Sequence, residues 1–225
     1  MTAMLRAAGV SLSFGDTPAL RGADVAVDEG EIVAVMGPSG SGKSTLLHCL
    51  AGILVPDSGE IHVDGHRIDT LGEAARSALR RERFGFVFQF GQLVPELTAA
   101  ENIALPLLLS GVRRAPALSR AEGWLSRLGL DGLGGRRSGE LSGGQAQRVA
   151  LARALAGSPR VVFADEPTGS LDSLAGEQVM DLLVGAAREQ GTTVVVVTHD
   201  ARVAAYADRE IMVRDGRVTT PVGTS

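Results

Sequence analysis

The 225-residue chain lacks several features that point to particular classes of protein. It contains no uninterrupted apolar run of about 18 residues, so we expect no membrane-spanning helix, and its first residues lack the apolar stretch of a signal peptide. A single cysteine, Cys49, excludes an internal disulfide and is typical of a reducing compartment. The formal net charge of -4 argues against a nucleic-acid partner, because such binders usually carry a basic excess. These absences favour a globular protein of the cytoplasm.

Lysine is almost absent as well. Lys43 is the only lysine among the 22 basic residues, and all the others are arginine. Arginine presents a planar fork, whereas lysine is a compact point charge on a flexible stem. We therefore expect position 43 to require an ammonium group for a chemical reason.

Three short apolar runs, residues 32–36, 160–164 and 193–198, are predicted to be buried parallel strands. They are rich in β-branched residues and show no period-two alternation, so both faces should be covered. Glycine-rich or polar residues follow each run. Because ligands of open α/β sheets bind at the carboxyl ends of the strands, these three ends predict a functional site. The alternative, incidental polar residues after core strands, would need three coincidences.

The remaining patterns complete a prediction of the fold. Alternating residues at 10–14, 23–27 and 61–63 indicate half-buried antiparallel strands, and Asp-Gly pairs at 64–65 and 215–216 indicate tight hairpins. Residues 99–156 are helical in character, with a loop at 129–144. We predict a single α/β domain. Its parallel-sheet core and antiparallel β layer are expected in residues 1–88 and 159–218, an inserted helical subdomain in 89–158, and a frayed tail in 219–225.

Residues 37–44, GPSGSGKS, fit the phosphate-loop pattern GxxxxGK[ST] between a strand and a helical run. Glycines let backbone N–H groups curl around phosphates, and the helix N-terminus adds a positive dipole end. Lys43 is expected to reach the β- and γ-phosphates of ATP, and the Ser44 hydroxyl to ligate Mg2+. A glycine turn without a ligand is disfavoured by this context. The expected nucleotide-binding residues here are Gly37, Pro38, Ser39, Gly40, Ser41, Gly42, Lys43, Ser44 and Thr45.

Two adjacent carboxylates, Asp165 and Glu166, follow the second parallel strand. Asp165 is expected to hold Mg2+, as the corresponding aspartate does in P-loop NTPases. Glu166 is expected to act as the general base towards the attacking water. Adjacent acids are usually only surface charge, but an apolar strand before them in a chain with a phosphate loop favours catalysis.

Residues 141–145, LSGGQ, resemble the signature motif of ABC ATPases, and the resemblance extends over nearly the whole chain because the other motifs follow in the family's order. It implies that Phe14 stacks on adenine, where tyrosine is more usual. It also implies that Gln89 senses Mg2+ and the membrane partner, that Asp172 belongs to the D-loop, and that His199 contacts the γ-phosphate. From the residues alone, Phe14 could instead be core, His199 a strand-end histidine and Asp172 a helix cap.

The resemblance also implies an assembly. Two subunits of this family face each other head to tail when ATP is bound, and the phosphate loop of one closes on the signature motif of the other. Ser142, Gly143, Gly144 and Gln145 would therefore contact the nucleotide of a partner copy, so we expect a homodimer in the ATP-bound state. ATP hydrolysis would release the dimer and move the attached membrane subunits.

Residues 84–109 resemble one subfamily in particular, which comprises lipoprotein-releasing, macrolide-exporting and FtsE-like cell-division ATPases. These work with separate FtsX-like permeases, so the chain is expected at the inner face of the cell membrane, held there only through a permease. Phe90, Leu93, Val94 and Pro95 follow Gln89 where the family docks this partner. A buried core is the alternative for these apolar residues.

Two functions stay open at this point, and a third is disfavoured. The chain either powers export of a hydrophobic compound, peptide or lipoprotein, or acts as an FtsE-like mechanical ATPase without transport. A soluble ABC ATPase of DNA repair or translation would carry a long coiled-coil insertion or a second cassette. The sequence has neither of these.

Overall fold

A computed structural model describes residues 3–219, which divide into two compact units. The first unit contains residues 3–80 and 193–219, and the second contains residues 81–192. Thr219 ends a strand and pairs with Met212, so the expected frayed tail is wrong for that residue. Residues 220–225 of the expected tail lie outside the described residues.

An antiparallel sheet in the first unit confirms the three alternating segments. Its strands run in the order β2-β1-β4-β5, and they are β1 (Ala3–Phe14), β2 (Thr17–Asp28), β4 (Ser58–Val63) and β5 (His66–Arg67). The strands extend beyond the predicted segments because β1 stays paired with β2 and β4 on both sides of several register shifts, where the alternation of the sequence is interrupted. The first Asp-Gly hairpin is also confirmed, since Val63 pairs with His66 and both turn residues have positive φ.

Parallel strands form the other layer of the first unit. They comprise β3 (Ile32–Met36), β8 (Thr193–Val197), β9 (Arg209–Arg214) and the antiparallel β10 (Arg217–Thr219), in the order β10-β9-β3-β8. The runs 32–36 and 193–198 are thus confirmed as parallel strands, and the hairpin at 215–216 joins β9 to β10. Helix α1 (Lys43–Leu50) packs against both layers, and α7 (Ala201–Ala204) packs against β3.

The second unit combines two parallel strands with helices. Strands β6 (Phe84–Phe88) and β7 (Val161–Asp165) pair with each other. The predicted helical region forms three α-helices, and further helices lie on either side of it. The helices are α2 (Glu73–Arg83, which crosses the boundary at residue 80), α3 (Ala99–Leu109), α4 (Arg114–Arg127), a 3-10 turn (Ser138–Glu140), α5 (Gly143–Leu155) and α6 (Ser173–Gln190). The boundaries of the helical subdomain at 89 and 158 stay a prediction.

Helix α5 lies at the centre of the second unit. It packs against α3, α4, α6 and strand β6. Its approach to β6 is so close that a Cβ at Gly85 would lie 2.2 Å from the Ala154 carbonyl oxygen, so only glycine fits there. Within residues 3–219, no helix combines the length and the apolar character that crossing a membrane requires.

Candidate functional site

Residues 37–42 form a loop between β3 and α1. Its backbone path requires glycine at the first and the last of these positions. Gly37 has φ +145°, and a Cβ there would lie 2.0 Å from the Val213 carbonyl oxygen. Gly42 has φ +104°, and a Cβ there would lie 2.5 Å from the Ala19 carbonyl oxygen. Both positions need a conformation that other residues rarely adopt and a space that no side chain can share. The phosphate-loop pattern thus corresponds to a tight backbone cradle.

The side chain of Lys43 is enclosed by this cradle. Lys43 is the first residue of α1 and only 8% exposed. Its Nζ donates to the Gly37 carbonyl at 2.9 Å and to the Pro38 carbonyl at 2.8 Å. An ammonium has three donors, so these two bonds leave one proton for an oxygen of a ligand.

The loop fits a phosphate group. The Ser41 Oγ is buried and has no hydrogen-bond partner among the described residues. Buried hydroxyl groups in proteins are nearly always hydrogen-bonded, and a phosphate oxygen would supply the acceptor. Ser44 and Thr45 lie in the first turn of α1, where backbone N–H groups and the helix dipole favour an anion. Pro38, Ser39 and Gly40 are exposed at the tip of the loop.

Two other predicted site residues belong to the first unit. Phe14 is the last residue of β1 and is 55% exposed. The alternative that it is a core residue is therefore wrong. His199 is exposed and lies two residues beyond the end of β8. The next residue, Asp200, caps α7 and accepts from the Arg202 backbone N–H at 2.9 Å. Hydrogen bonds from the Arg202 side chain and backbone, with a smaller electrostatic effect of His199, lower the pKa of Asp200.

The two predicted carboxylates lie in the second unit at the carboxyl end of β7. Asp165 is the last residue of that strand and is paired with Phe88. The strand begins and ends one residue later than predicted, which brings Asp165 into it. Glu166 has φ +48°, in the left-handed region that glutamate seldom adopts. Its carbonyl accepts from the Gly169 N–H at 3.1 Å, which helps to hold the turn.

Gln89 and the predicted D-loop are in contact. Gln89 follows β6, and its carbonyl accepts from the Ser170 Oγ at 2.8 Å. Its Nε2 lies so close to Gly169 that a Cβ there would be 2.9 Å away. Asp172 caps α6 by accepting from the Ala175 N–H at 2.9 Å, so the helix-cap alternative is observed. A role of Asp172 towards nucleotide stays a prediction.

The signature residues form the exposed start of α5. Ser142 and Gln145 make a capping box: the Ser142 Oγ accepts from the Gln145 N–H at 3.3 Å, and the Gln145 Oε1 accepts from the Ser142 N–H at 2.9 Å. Gly143 and Gly144 are the first two helical residues, whose N–H groups have no acceptor within the helix. This end of α5 therefore suits an anion brought from outside the unit.

The segment after Gln89 combines an exposed apolar side chain with a tightly held backbone. Phe90 is 71% exposed, so the alternative of a buried core is wrong for this residue. The buried side chain of Asn102 holds the backbone further along through bonds with Val94, Leu97 and Thr98. Leu93 and Val94 are half-buried, and Pro95 is exposed.

The sequence patterns above do not identify three buried or largely buried polar residues of the second unit that hold the backbone of site segments, namely Asn102, Gln147 and Arg153. Gln147 had a readable signal: it lies on the same helical stripe as the buried residues Ala150, Leu151 and Ala154. A glutamine on an apolar stripe is unusual and needs partners inside the protein. The partners of Gln147 are the backbone carbonyls of Phe88 and Pro167, next to the predicted site residues.

Comparisons with known proteins show which family the chain resembles. A family model described as "ABC transporter" matches residues 20–169. The lipoprotein-releasing system ATP-binding protein LolD of Ruegeria pomeroyi is 45% identical over 221 residues, 96% of each chain. LolD of Porphyromonas gingivalis is 44% identical over 213 residues, 95% of this chain and 97% of that protein.

Solved structures of ATP-binding cassettes share the fold. A dimeric post-hydrolysis state of the cassette MJ0796 bound to ADP and Pi superposes with a TM-score of 0.88 at 39% identity, covering 98% of this chain and all of that one. CbiO1 of Clostridium perfringens, part of the ABC transporter complex cbiONQ, gives a TM-score of 0.87 at 32% identity, covering 97% and 88%.

Proposed function

Because the chain belongs to the ABC transporter family as an ATP-binding, ATP-hydrolysing subunit, we propose that it powers lipoprotein release through a separate FtsX-like permease. The observation that supports this cargo is the similarity to LolD proteins along nearly the full length of both chains. In this proposal the chain works at the inner face of the cell membrane and contacts that membrane only through the permease.

Each part of the nucleotide has proposed partners. The cradle of residues 37–45 binds the phosphates, with the Ser41 hydroxyl and the third Lys43 proton donating to their oxygens. The exposed ring of Phe14 stacks on the adenine. Ser44, Gln89 and Asp165 are the residues that would hold Mg2+, with oxygen donors of the kind this ion prefers. When bound, Mg2+ supplies positive charge that neutralises the phosphate oxygens.

Catalysis in this proposal depends on one carboxylate. Glu166 accepts a proton from a water molecule as the water oxygen attacks the γ-phosphorus. The bond from the γ-phosphorus to the bridging oxygen breaks, and ADP and inorganic phosphate form. Lys43 and His199 donate to the phosphate oxygens and stabilise the charge that they carry in the transition state.

A second copy of the chain completes each site. The N–H groups of Gly143 and Gly144, which have no acceptor within the helix, suit the γ-phosphate held by the partner copy, with Ser142 and Gln145 supporting the start of α5. We also propose that Asp172, in the D-loop, binds nucleotide at this contact between the two copies. The dimeric MJ0796 cassettes support a homodimer in the ATP-bound state.

Glu166→Gln tests this function. Glutamine keeps the shape of glutamate but cannot accept the proton, so turnover should fall by about 100- to 10,000-fold while ATP still binds. Unhydrolysed ATP should then hold two copies together. Size-exclusion chromatography with light scattering should show a dimer in ATP and a monomer in ADP.

A matched double variant separates dimer formation from nucleotide binding. Adding Ser142→Arg to Glu166→Gln obstructs the exposed start of α5, so the dimer should disappear while ATP binding is retained. Rapid turnover of Glu166→Gln would show that another group is the base. A protein that stays monomeric in saturating ATP would contradict the head-to-tail arrangement.

A further inference from the structure

One buried amide on α5 holds two functional segments of the second unit at once. Gln147 is 1% exposed, and its Nε2 donates to the Phe88 carbonyl at 2.9 Å and to the Pro167 carbonyl at 2.6 Å. Phe88 directly precedes Gln89, and Pro167 directly follows Glu166. A single side chain therefore binds the backbone carbonyl of the residue before Gln89 and that of the residue after Glu166.

Only an amide group meets this demand at a side chain of that length. The terminal NH2 has two protons, and each donates to one of the two carbonyls. A glutamate side chain in its ionised form is acceptor-only, and a methionine side chain has no donor. Either replacement would leave two carbonyl groups of the protein interior without this partner, which is costly.

The peptide next to Glu166 needs to be held from outside. Glu166 has φ +48°, a conformation that costs free energy in a residue with a side chain and persists only where its surroundings enforce it. Gly169 donates to the Glu166 carbonyl at 3.1 Å, and Gln147 fixes the Pro167 carbonyl one residue on. This backbone geometry fixes the direction of the Cα–Cβ bond from which the Glu166 side chain starts.

Helix α5 also binds the residues that follow Phe90. Arg153 donates from Nη2 to the Gly91 carbonyl and from Nη1 to the Gln92 carbonyl, both at 2.8 Å. The exposed Phe90 thus lies between a residue held by Gln147 and residues held by Arg153. Helix α5 also packs on β6 so closely that there is no room for a Cβ at Gly85. We therefore expect α5, β6 and the segment around Phe90 to move together.

We propose that Gln147 is a positioning residue that sets the geometry of Glu166 and couples it to the Gln89 segment. When the Gln89 segment moves, the Gln147 side-chain amide moves with the Phe88 carbonyl and shifts the Pro167 carbonyl, which follows the base Glu166. The inference rests on the proposed function, because it takes Glu166 as the base that accepts the proton.

Two variants of similar size, Gln147→Met and Gln147→Glu, test the proposal in the full chain. Methionine removes both hydrogen bonds, and glutamate, which is acceptor-only when ionised and has a single O–H donor when protonated, keeps at most one, with little change in volume in either case. The expected result is a fall in kcat of about ten- to a hundredfold with KM for ATP changed less than about twofold, because the phosphate loop is intact. If either variant folds and keeps its kcat, the proposal is overturned.

Thr192→Val is the matched control for a merely structural role. Thr192 is also buried in the second unit, and its Oγ1 donates to the Pro159 carbonyl at 3.0 Å, away from the site residues. Valine has the same shape without the donor. This variant should lower the melting temperature as the Gln147 variants do, yet leave kcat unchanged. An equal fall of kcat in Thr192→Val would contradict a specific role of Gln147.

A double-mutant cycle with Glu166→Gln identifies the residue through which Gln147 acts. Single-turnover rates should fall at least tenfold on Gln147→Met in the parent chain, but less than about threefold when Glu166 is already glutamine. Factors that multiply would overturn the inference and leave the base assignment intact. Near-parental turnover of Glu166→Gln alone would refute the base assignment, and the inference with it.

Discussion

At the scale of single residues, Lys43 is confined by two carbonyl oxygens 2.9 and 2.8 Å from its Nζ. We predict that Lys43→Arg lowers ATPase activity by at least about a hundredfold, although it keeps the charge, because a planar guanidinium is too large for a space shaped around one nitrogen. Steady-state phosphate release measures this effect.

Arg120→Lys provides the reverse exchange as a control. Arg120 is exposed on α4, so its replacement should leave the rate unchanged. Near-parental turnover of Lys43→Arg would show that charge alone matters at position 43.

The site residues differ in how far the sequence could predict them. Lys43, Asp165 and Glu166 could be predicted because the chemistry of phosphate binding needs particular residue types next to particular strands. Gln147 could be recognised as a polar residue on an apolar stripe, but its partners could not be predicted, because the two carbonyls are 59 and 20 residues away in the chain and any residue type can supply a carbonyl. Phe14 was ambiguous as a sequence pattern, and only its exposure decides between core and surface.

At the scale of secondary-structure elements, the start of α3 contains a charged capping box. The Glu101 carboxylate accepts from the Thr98 N–H at 3.1 Å and from Arg114 at 2.6 Å. The Thr98 N–H first, and Arg114 second, lower the pKa of Glu101. A lowered pKa in the folded state means that the ionised carboxylate stabilises the fold at neutral pH.

The sign of this effect gives a pH-dependent prediction for Glu101→Gln. The stabilisation is fully present above the unfolded pKa, about 4.3, and is lost as the pH falls through the folded value. The parent should thus exceed the variant in unfolding free energy by about 0.3–1 kcal/mol at pH 7, and the difference should shrink below about pH 4. Urea unfolding across this pH range measures it.

Glu177→Gln, which removes one exposed carboxylate of α6, is the control for this series. Both variants lose one negative charge, but only Glu101→Gln loses the charged capping contact. The pH-dependent difference in unfolding free energy is therefore expected for Glu101→Gln and not for Glu177→Gln. A difference between parent and Glu101→Gln that grows as the pH falls would contradict the assignment.

Elements with a strong local signal could be predicted, and those without one could not. The Asp-Gly hairpins are specified by two residues that tolerate positive φ, so they could be read directly. Helix α2 buries none of its residues, and Leu79 is its only large apolar residue, so its apolar face is too small to identify a core-packing helix. Strand β6 is a five-residue apolar run, a length at which strand and buried helix look alike.

At the scale of the whole molecule, the exposed Phe90 is the proposed contact with the permease. We predict that Phe90→Glu weakens the stimulation of ATPase activity by a co-expressed FtsX-like permease, because a carboxylate does not leave water for an apolar contact. ATP binding, measured with a fluorescent nucleotide, should be unchanged.

Leu109→Glu is the matched control for the permease experiment. Leu109 is also an exposed apolar residue of the second unit, 63% exposed at the end of α3, and its replacement should leave the stimulation intact. Equal loss of stimulation in both variants would remove the special role of Phe90. Full activity of the isolated chain without any permease would contradict the docking proposal.

The enclosed Lys43 has a practical consequence for spectroscopy. Apart from the α-amine, its Nζ is the only primary amine of the chain, since every other basic side chain is a guanidinium or an imidazole. Reductive methylation with 13C-formaldehyde therefore introduces a single side-chain NMR probe. Dimethylation leaves this nitrogen one N–H, so at least one of its bonds to the Gly37 and Pro38 carbonyls must be lost. The rate at which the probe signal grows is therefore the readout of phosphate-loop occupancy: it should be slow for an amine that is 8% exposed, and slower still when a phosphate group occupies the loop.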